Sequence, residues 1–504
     1  MLEEEKPADH QHDADYDAAC DRQLPDATHP PKDRDSIYAQ GMRAVAAGHP
    51  ATADAGAEIL EAGGNAADAA VAACLASCVA ETVMTGFLGG GHAIYFDAET
   101  NRASNLDCFV AVPGLGGVWR QPELQFLPVP FGEELVHYAI GPASCAVPGL
   151  PAGLAALWER FGRMPWAELV GPATELAVDG VPFPPAHAAC LAMLAPVMTM
   201  NEGAEIYSPG GRLLAAGEVL RQPGLERALR LVAEEGARSV YSGTLAEALL
   251  ELLRERGGTI TRQDLATYEP RWDEPVEARY LDTRFLTRGG LAGVAETLPR
   301  LPRLRDLSER DRVLALVDVL HSRTGGLGDT TNLVTVDRDG SACVLTTSLG
   351  LGSGDFLPGL DLHLNSMLGE ADLVRGPLRS GERMASMMAP SFALDADGPA
   401  LAAGAAGGTR LRTALAIVVA GVLDEGLEPR AAVERPRVHN AGAVVNAEPG
   451  VAEDALRELE GLGHAVRRWP ERHHYFGGVS LVTRSGAAGD PRRSGSARLL
   501  QEES

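Results

Sequence analysis

Residues 328–350 read GDTTNLVTVDRDGSACVLTTSLG. Two runs rich in valine, threonine and leucine flank the dipeptide Asp339-Gly340, which is typical of a tight β-hairpin turn. The stretch therefore predicts two antiparallel strands. A glycine-containing loop, TGGLGD, immediately precedes the first of them. The threonine pair Thr330-Thr331 thus stands where a loop enters a hairpin.

Thr330 is a candidate nucleophile because of this position. A threonine hydroxyl is a poor nucleophile unless a base lies beside it. A chain cut between Asp329 and Thr330 would free an α-amine, whose pKa of about 7.7–8.0 in reference compounds suits that role. Such a cut needs a flexible loop before the threonine and a strand after it, and the sequence supplies both. Paired threonines also begin ordinary strands, so the pattern alone leaves a structural interpretation open.

Two glycine clusters are candidate anion-binding turns. Gly407-Gly408 stands between a strand-like run and a buried helix, where successive N–H groups can stabilise an oxyanion. The cluster at residues 89–91 could cradle an anion, but it has neither a P-loop lysine nor a full dinucleotide fingerprint. For both clusters the alternative is a tight turn packed against other backbone.

The rest of the chain alternates helical and strand-like patterns. Asn65 is the predicted N-cap of a helix over 66–79, which is apolar nearly all round and is therefore expected to be buried. Mixed elements with a strand-rich last third predict an α/β layered fold. Further helices are predicted at 53–60, 151–161, 165–178, 225–235, 245–256, within 300–323 and at 451–463, and further strands at 93–97, before the glycine turn in 401–423 and at 478–484, ahead of a polar tail from Gly486.

Composition and charge exclude several classes of partner. The 504 residues carry 69 acidic and 44 basic side chains, a formal charge of −25. This charge would repel nucleic acid phosphates and an anionic membrane surface. The longest clean apolar run, 414–423, is too short to span a bilayer. Residues 1–40 are acidic and poor in apolar side chains, and we expect them to form a disordered arm.

Cysteine and histidine usage favours a protein without metal or disulfides. Seven cysteines occur without a CxxC pair, which predicts reduced thiols. The pair His473-His474 has no further ligand at a metal-site spacing, so these are expected to be core or surface histidines. No metal or organic cofactor is predicted. The N-terminus shows no segment of signal-peptide type, and we expect a cytoplasmic protein.

Several longer segments together resemble the γ-glutamyltransferase (γ-glutamyltranspeptidase) family. The resemblance extends over residues 41–493. It is carried by GMRAVAAGHPATADAGAEILEAGGNAADAAVAACLA (41–76), GFLGGGHAIYFD (86–97), SCAVPGLPAGLAALWERFGRMPWAELVGPATELAVDG (144–180), the stretch 328–350, and the shorter segments LNSMLGEADL, RMASMMAPSF and AAGGTR.

The resemblance implies a fold and a processing event. The fold is that of an N-terminal-nucleophile hydrolase, an α/β protein built as a four-layer αββα sandwich. The precursor is expected to cut itself between Asp329 and Thr330. The large segment, 41–329, and the small segment, 330–504, would then stay together as a heterodimer that forms one intertwined fold.

The resemblance also implies roles for single residues. Thr330 would be the nucleophile and, through its α-amine, the base. Ser348 matches a second hydroxyl that hydrogen-bonds the nucleophile, and Gly407 and Gly408 match the oxyanion glycines. The acidic residue that holds a substrate amino group is left open between two positions. The expected substrate-binding positions are Phe109, Ser386, Met387 and either Glu370 or Asp372.

The departures from the family pattern concern the clamp for a glutamyl head group. Phe109 stands where the family has an arginine that grips the α-carboxylate, and a phenyl ring removes that bidentate partner. Met387 replaces a second pocket serine, Gly350 replaces an asparagine, and Asn332 replaces a histidine. We therefore expect the acyl-enzyme machinery to be retained and the glutamyl clamp to be eroded.

Three functions stay open at this point. The leading one is a γ-glutamyltransferase-like amide hydrolase or acyltransferase, acting on a small amide with water or an amino acid as acceptor. The second keeps the Thr330 nucleophile but acts on a non-glutamyl substrate, as an acylase or a C–C bond-cleaving enzyme of specialised metabolism. The third is an inactive paralogue with a structural or binding role.

Overall fold

The computed structural model describes residues 41–117, 124–131, 134–321 and 330–500. The predicted acidic arm, 1–40, and Asp329 lie outside the described residues. Strands and helices are numbered below in chain order.

The predicted hairpin forms the centre of a seven-stranded sheet. Its strands β11 (Thr331–Val336) and β12 (Ala342–Ser348) pair antiparallel across the turn at Asp339-Gly340, as expected. The sheet has the spatial order β22-β1-β11-β12-β2-β3-β8. Its other strands are β1 (Arg43–Ala47), β2 (Gly90–Asp97), β3 (Arg102–Cys108), β8 (Arg271–Asp273) and β22 (Ser496–Leu500).

A second, six-stranded sheet lies in the last half of the chain. Its spatial order is β21-β20-β16-β15-β10-β9. The strands are β9 (Val276–Tyr280), β10 (Thr283–Thr287), β15 (Ser391–Asp395), β16 (Gly398–Ala406), β20 (Gly478–Thr483) and β21 (Gly486–Gly489). Four small sheets pair β4 (Gln125–Phe131) with β5 (Glu134–Ile140), β6 (Val181–Pro182) with β7 (Val219–Leu220), β13 (Phe356–Leu357) with β14 (Leu362–His363), and β17 (Val438–Asn440) with β18 (Val444–Ala447) and β19 (Ala465–Arg468).

Each predicted helix is present, and where both ends were predicted they differ from the observed ends by at most three residues. Five further helices of the described chain, between residues 185 and 434, were not predicted. Asn65 caps the second helix through a capping box with Asp68, as predicted. The helices are α1 (Pro50–Glu61), α2 (Ala66–Ala80), α3 (Leu150–Phe161), α4 (Trp166–Asp179), α5 (Pro185–Met198), α6 (Gly203–Tyr207), α7 (Pro223–Glu235), α8 (Thr244–Arg256), α9 (Arg262–Thr267), α10 (Val294–Thr297), α11 (Glu309–Val319), α12 (Arg410–Leu423), α13 (Pro429–Glu434) and α14 (Glu453–Gly461). In the described part of the chain, no helix combines the length and apolarity needed to cross a membrane.

Alternating side chains on the central strands build four layers. In β11, Val334 and Val336 pack between the sheets with Phe392 of β15, whereas Leu333 points to the layer that contains α1 and α2. In β16, Ala402 faces the first sheet and Leu401 packs in the core that contains α12. The order is helix, sheet, sheet, helix, which confirms the predicted αββα sandwich.

The C-terminal tail corrects one sequence interpretation. Residues from Gly486 onward were expected only to be polar, but they form β21 and β22. β22 pairs antiparallel with β1, which in turn pairs with β11. Pairing gives the backbone of the tail its partners, so a polar composition did not exclude a strand. Strands from before and after residue 330 are therefore interleaved within one sheet.

Candidate active site

Thr330 is buried at the entrance to β11, with 6% of its surface exposed. Its carbonyl oxygen accepts a hydrogen bond from Arg493 Nη1 at 3.1 Å. Arg493 is itself buried and ends a 3-10 turn over Pro491–Arg493. The backbone of the candidate nucleophile is thus held by a residue 163 positions later in the chain.

Ser348 lies beside Thr330 because of the register of the hairpin. Thr331 of β11 pairs with Thr347 of β12, so the next residues outward, Thr330 and Ser348, are neighbours across the two strands. The Ser348 hydroxyl accepts a hydrogen bond from the Gly350 N–H at 2.9 Å. The hairpin predicted from the sequence therefore brings the two hydroxyl residues together.

Thr330 lines a cavity of about 50 Å³, and most of the predicted site residues line the same cavity. Gly407 is not part of its wall, and Asp329 lies outside the described residues. The other predicted residues all line it, and their roles remain predictions. The wall consists of Phe109, Thr330, Ser348, Gly350, Met367, Glu370, Asp372, Leu373, Ser386, Met387, Met388, Gly408 and Leu411.

Gly407 and Gly408 form the turn between β16 and α12. Both have positive φ, +120° and +55°. A Cβ placed on Gly407 would lie 2.9 Å from the Cα of Gly477, so the close approach of the two backbones requires glycine there. Within the described residues, neither amide donates a hydrogen bond. Gly408 reaches the cavity wall, so its N–H group is available as an oxyanion donor, and the same role for Gly407 stays a prediction.

One wall of the cavity is apolar. Phe109 is 1% exposed and stacks on the ring of His92 with the centroids 5.5 Å apart. Burial, together with the charges of Arg288 and Arg383, lowers the pKa of His92 well below its ordinary value, so this ring is neutral. No Lys, Arg or His is among the described residues that line the cavity.

Another part of the cavity wall is acidic. Glu370 and Asp372 both line the cavity, so the structure leaves open which of them meets a substrate amino group. Gly350 has a φ of +69°, and a Cβ there would lie 2.7 Å from Ser366 Oγ and 3.1 Å from Glu370 Oε1. Glycine in place of the expected asparagine therefore lets the Glu370 carboxylate approach the backbone beside Ser348.

The two pocket positions 386 and 387 differ in polarity. The Ser386 hydroxyl accepts a hydrogen bond from the Met388 N–H at 3.2 Å, and its carbonyl accepts one from Arg288 Nη1 at 3.1 Å. Both bonds fix the segment that carries Met387. Met387 is half-buried and borders a second cavity as well as the first.

Sequence reasoning missed Glu81, which contacts Thr331, the residue next to the candidate nucleophile Thr330. The Thr331 hydroxyl donates to Glu81 Oε2, and the Thr52 hydroxyl donates to Glu81 Oε1 at 2.6 Å. Glu81 is 1% exposed. Burial raises its pKa to about 7, although both hydrogen bonds and the charge of Arg493 act in the opposite direction. The available signal was an acidic side chain directly after the apolar helix α2.

The residues that hold Arg493 were also missed. Asp490 accepts a hydrogen bond from Arg437 Nη2 at 2.6 Å and one from the Val479 N–H at 3.1 Å. Arg492 pairs with Glu448, with Nε 2.7 Å from Oε1. These buried ion pairs anchor the turn that ends at Arg493.

Other candidates from the sequence have structural roles. A Cβ on Gly89 would lie 2.2 Å from the Ser348 carbonyl, which favours the packed-turn interpretation of that glycine cluster. Asn332 joins the two sheets, since its side chain accepts from the Ser480 N–H at 2.8 Å and donates to the Gly478 carbonyl at 3.2 Å. His474 is buried beside His473, with the ring centroids 4.1 Å apart.

Metal and disulfide sites were not expected. Across the described ranges, no three His, Cys, Asp or Glu side chains are grouped so as to hold a metal ion. The six cysteines of these ranges are buried, and none of them forms a disulfide within the described residues.

Thr330 is buried at the head of a central strand and shares a cavity with Gly408, within the αββα sandwich that is the fold of N-terminal-nucleophile hydrolases. The sequence profile of the Gamma-glutamyltranspeptidase family matches residues 52–321 and 309–500. The chain therefore belongs to the γ-glutamyltranspeptidase family, whose members hydrolyse amides or transfer their acyl groups.

Named relatives fall into two groups. The chain is 25% identical to the glutathione hydrolase proenzyme of Bacillus subtilis (strain 168), covering 92% of this chain and 94% of the relative. It is 29% identical to the acylase ACY 1 proenzyme of Pseudomonas sp. (strain SE83), covering 88% and 90%. Among solved structures, cephalosporin acylase from Bacillus halodurans superposes with a TM-score of 0.76 at 24% identity, covering 94% of this chain and 98% of that one. The superposition establishes the shared fold.

Proposed function

We propose that this protein cuts itself before Thr330 and then acts as an amidase or acyltransferase on acyl groups that lack the α-carboxylate of a glutamyl group. The observation that carries the substrate part is the cavity wall. It combines Phe109 with the carboxylates of Glu370 and Asp372 and, among the described residues, contains no cation. A carboxylate in this cavity would lose its hydration and meet like charge.

Processing begins with the Thr330 hydroxyl. Its oxygen attacks the Asp329 carbonyl carbon, the peptide C–N bond breaks, and the nitrogen takes the hydroxyl proton. Water then hydrolyses the resulting ester, which leaves the Asp329 carboxyl group and a free Thr330 amine. Arg493 supports this step because it holds the Thr330 carbonyl and so fixes the backbone from which the hydroxyl projects.

Turnover uses the freed amine as the base. The amine takes the Thr330 hydroxyl proton while the oxygen attacks the substrate carbonyl, and the N–H groups of Gly407 and Gly408 stabilise the oxyanion. The leaving amine takes the proton, and an acyl ester remains on Thr330. Water or an amine then attacks this ester, which restores the threonine and releases the acid or the new amide.

The acidic wall favours an acyl group with an ammonium or with no charge. Glu370 and Asp372 would attract an ammonium, whereas Phe109, Met367 and Met388 offer apolar contact. Similarity to the acylase ACY 1 proenzyme supports a non-glutamyl acyl group. Similarity to the glutathione hydrolase proenzyme keeps γ-glutamyl amides as the alternative to be tested.

Intact mass spectrometry under denaturing conditions tests the processing step. In proportion to a chain mass of 53.0 kDa, a cut before Thr330 gives fragments of about 35 and about 18 kDa. Thr330→Ala should remain a single chain, and Thr330→Ser should still be cut because it keeps a hydroxyl. A single uncut wild-type chain would instead support the inactive-paralogue alternative.

Four matched anilides test the acyl preference. The γ-glutamyl, glutaryl, 4-aminobutyryl and butyryl 4-nitroanilides differ only in the presence of the α-carboxylate and the amine. We expect kcat/KM to be at least about tenfold higher for the two compounds without the carboxylate. A carboxylate in this cavity would find no cation to bind, and one missing charge-assisted contact costs about that factor or more. A preference for γ-glutamyl or glutaryl anilide would refute the proposed acyl class while leaving the nucleophile assignment intact.

A further inference from the structure

The turn that follows α2 contacts the head of the β11–β12 hairpin at two places. The Thr331 hydroxyl donates to Glu81 Oε2, and the hydroxyls of Thr85 and Thr347 are hydrogen-bonded to each other. All four side chains are buried. The turn is tight, because the Glu81 carbonyl accepts a hydrogen bond from the Thr85 N–H at 3.0 Å. Both contacts with the hairpin therefore come from one short segment, the 81–85 turn.

These contacts hold the neighbours of the two hydroxyl residues of the site. Thr331 and Thr347 are paired directly across the hairpin and form the last pair of its ladder. The next residues outward are Thr330 and Ser348, which line the cavity. Because successive side chains of a strand point to opposite faces, the 81–85 turn holds the hairpin from the face that is turned away from the cavity.

Backbone pairing alone does not fix the direction of the two site hydroxyls. Thr330 lies beyond the last ladder pair, so a rotation of the strand end about its own axis would move its oxygen without breaking a ladder bond. A hydrogen bond on the opposite face of the adjacent residue opposes this rotation. Glu81 provides that bond beside Thr330, and Thr85 provides it beside Ser348. The Thr52 hydroxyl donates to Glu81 Oε1 at 2.6 Å and keeps the carboxylate in place.

We propose that Glu81 and Thr85 are positioning residues for the two hydroxyls of the site, and that self-cleavage and turnover both depend on them. The inference rests on the proposed function, since it needs Thr330 to act as the nucleophile. Reacting atoms must lie about 3–3.5 Å apart and be aligned, and a misplacement of about 1 Å can cost about a hundredfold in rate. Neither positioning residue is among the described residues that line the cavity, so each acts through the threonine that it contacts.

Valine replacements of the contacted threonines test this role, because valine keeps the shape of threonine and removes the hydroxyl. Thr331→Val and Thr347→Val should each slow self-cleavage at least about tenfold, as followed on denaturing gels after cell-free synthesis is stopped. In the cut fraction, kcat for the butyryl anilide should fall by a similar factor while KM stays within about twofold of wild type, since neither threonine lines the cavity.

The matched control is Thr335→Val. It removes another buried hydroxyl from the same face of β11, one that donates to the Ala66 carbonyl at 2.7 Å at the start of α2. It should cost comparable stability and leave both rates near wild type. Glu81→Leu should behave as Thr331→Val does. Glu81→Gln should be cut faster than Glu81→Leu, because its amide oxygen still accepts a hydrogen bond.

A double-mutant cycle separates positioning from a general weakening of the fold. In a Ser348→Ala background no second hydroxyl remains to be positioned, so Thr347→Val should cost little further rate. Full additivity of the two losses would overturn the inference for Ser348, and cleavage of Thr331→Val at the rate of its control would overturn it for Thr330. Failure of the proposed function is seen separately, as a wild-type chain that remains uncut.

Discussion

Glu81→Gln is expected to raise the stability of the protein relative to its parent more at alkaline pH than at acidic pH. Glu81 is buried against Thr331 and Thr52, and burial raises its pKa to about 7 from 4.5 in an unfolded chain. A carboxyl group with a raised pKa favours folding in its protonated form. Its contribution is therefore fully present below about pH 4.5 and is lost as the pH rises through about 7. Glutamine keeps the shape and cannot ionise.

The size of the effect follows from the two pKa values. Their difference corresponds to about 3 kcal/mol, most of which is lost between about pH 5 and about pH 8. At about 2.1 cal/mol/K per residue, a chain of 504 residues gains about 1 kcal/mol/K of entropy on unfolding. The Tm of Glu81→Gln minus that of its parent should therefore rise by about 2–3 °C between these two pH values.

Differential scanning calorimetry in a Thr330→Ala background measures this difference on one continuous chain. The matched control is Glu234→Gln, which removes the same charge from an exposed position on α7. It should show no comparable change with pH. If the Tm difference for Glu81→Gln stayed constant from acidic to alkaline pH, Glu81 would not ionise in this range and the proposed electrostatic state behind the nucleophile would be wrong.

Two further substitutions test the oxyanion turn and the support of the nucleophile. Gly407→Ala should lower kcat by about a hundredfold or more, because its Cβ would meet Gly477 and displace the donor amides. The control is Gly398→Ala, which has a similar positive φ but no atom within 4 Å of the added Cβ, and it should leave kcat near wild type. Equal kcat in both variants would contradict the oxyanion assignment. Arg493→Lys should slow the appearance of the two fragments on denaturing gels, because lysine cannot reproduce the guanidinium contact with the Thr330 carbonyl. The control Arg498→Lys alters a half-buried arginine that pairs with Asp54 and should not slow it; equal rates in the two variants would exclude a positioning role for Arg493.

The sequence predicted those parts of the fold that depend on neighbouring residues. The hairpin at Asp339-Gly340, the Asn65 cap and the buried helix α12 are local patterns, and the structure confirms all three. Most predicted site residues line one cavity because they occur as short groups of neighbouring residues. These groups lie at the ends of β12 and β16 and in the loop before β15. Local motif and local geometry coincide at these places.

The supporting residues could not be predicted in the same way. Glu81 meets Thr331 across 250 positions of sequence, and Arg493 meets Thr330 across 163. Each is a single charged side chain in a segment whose composition indicates only the end of a helix or a polar tail. Its burial depends on sheet pairing between β1, β11 and β22, which no local pattern specifies.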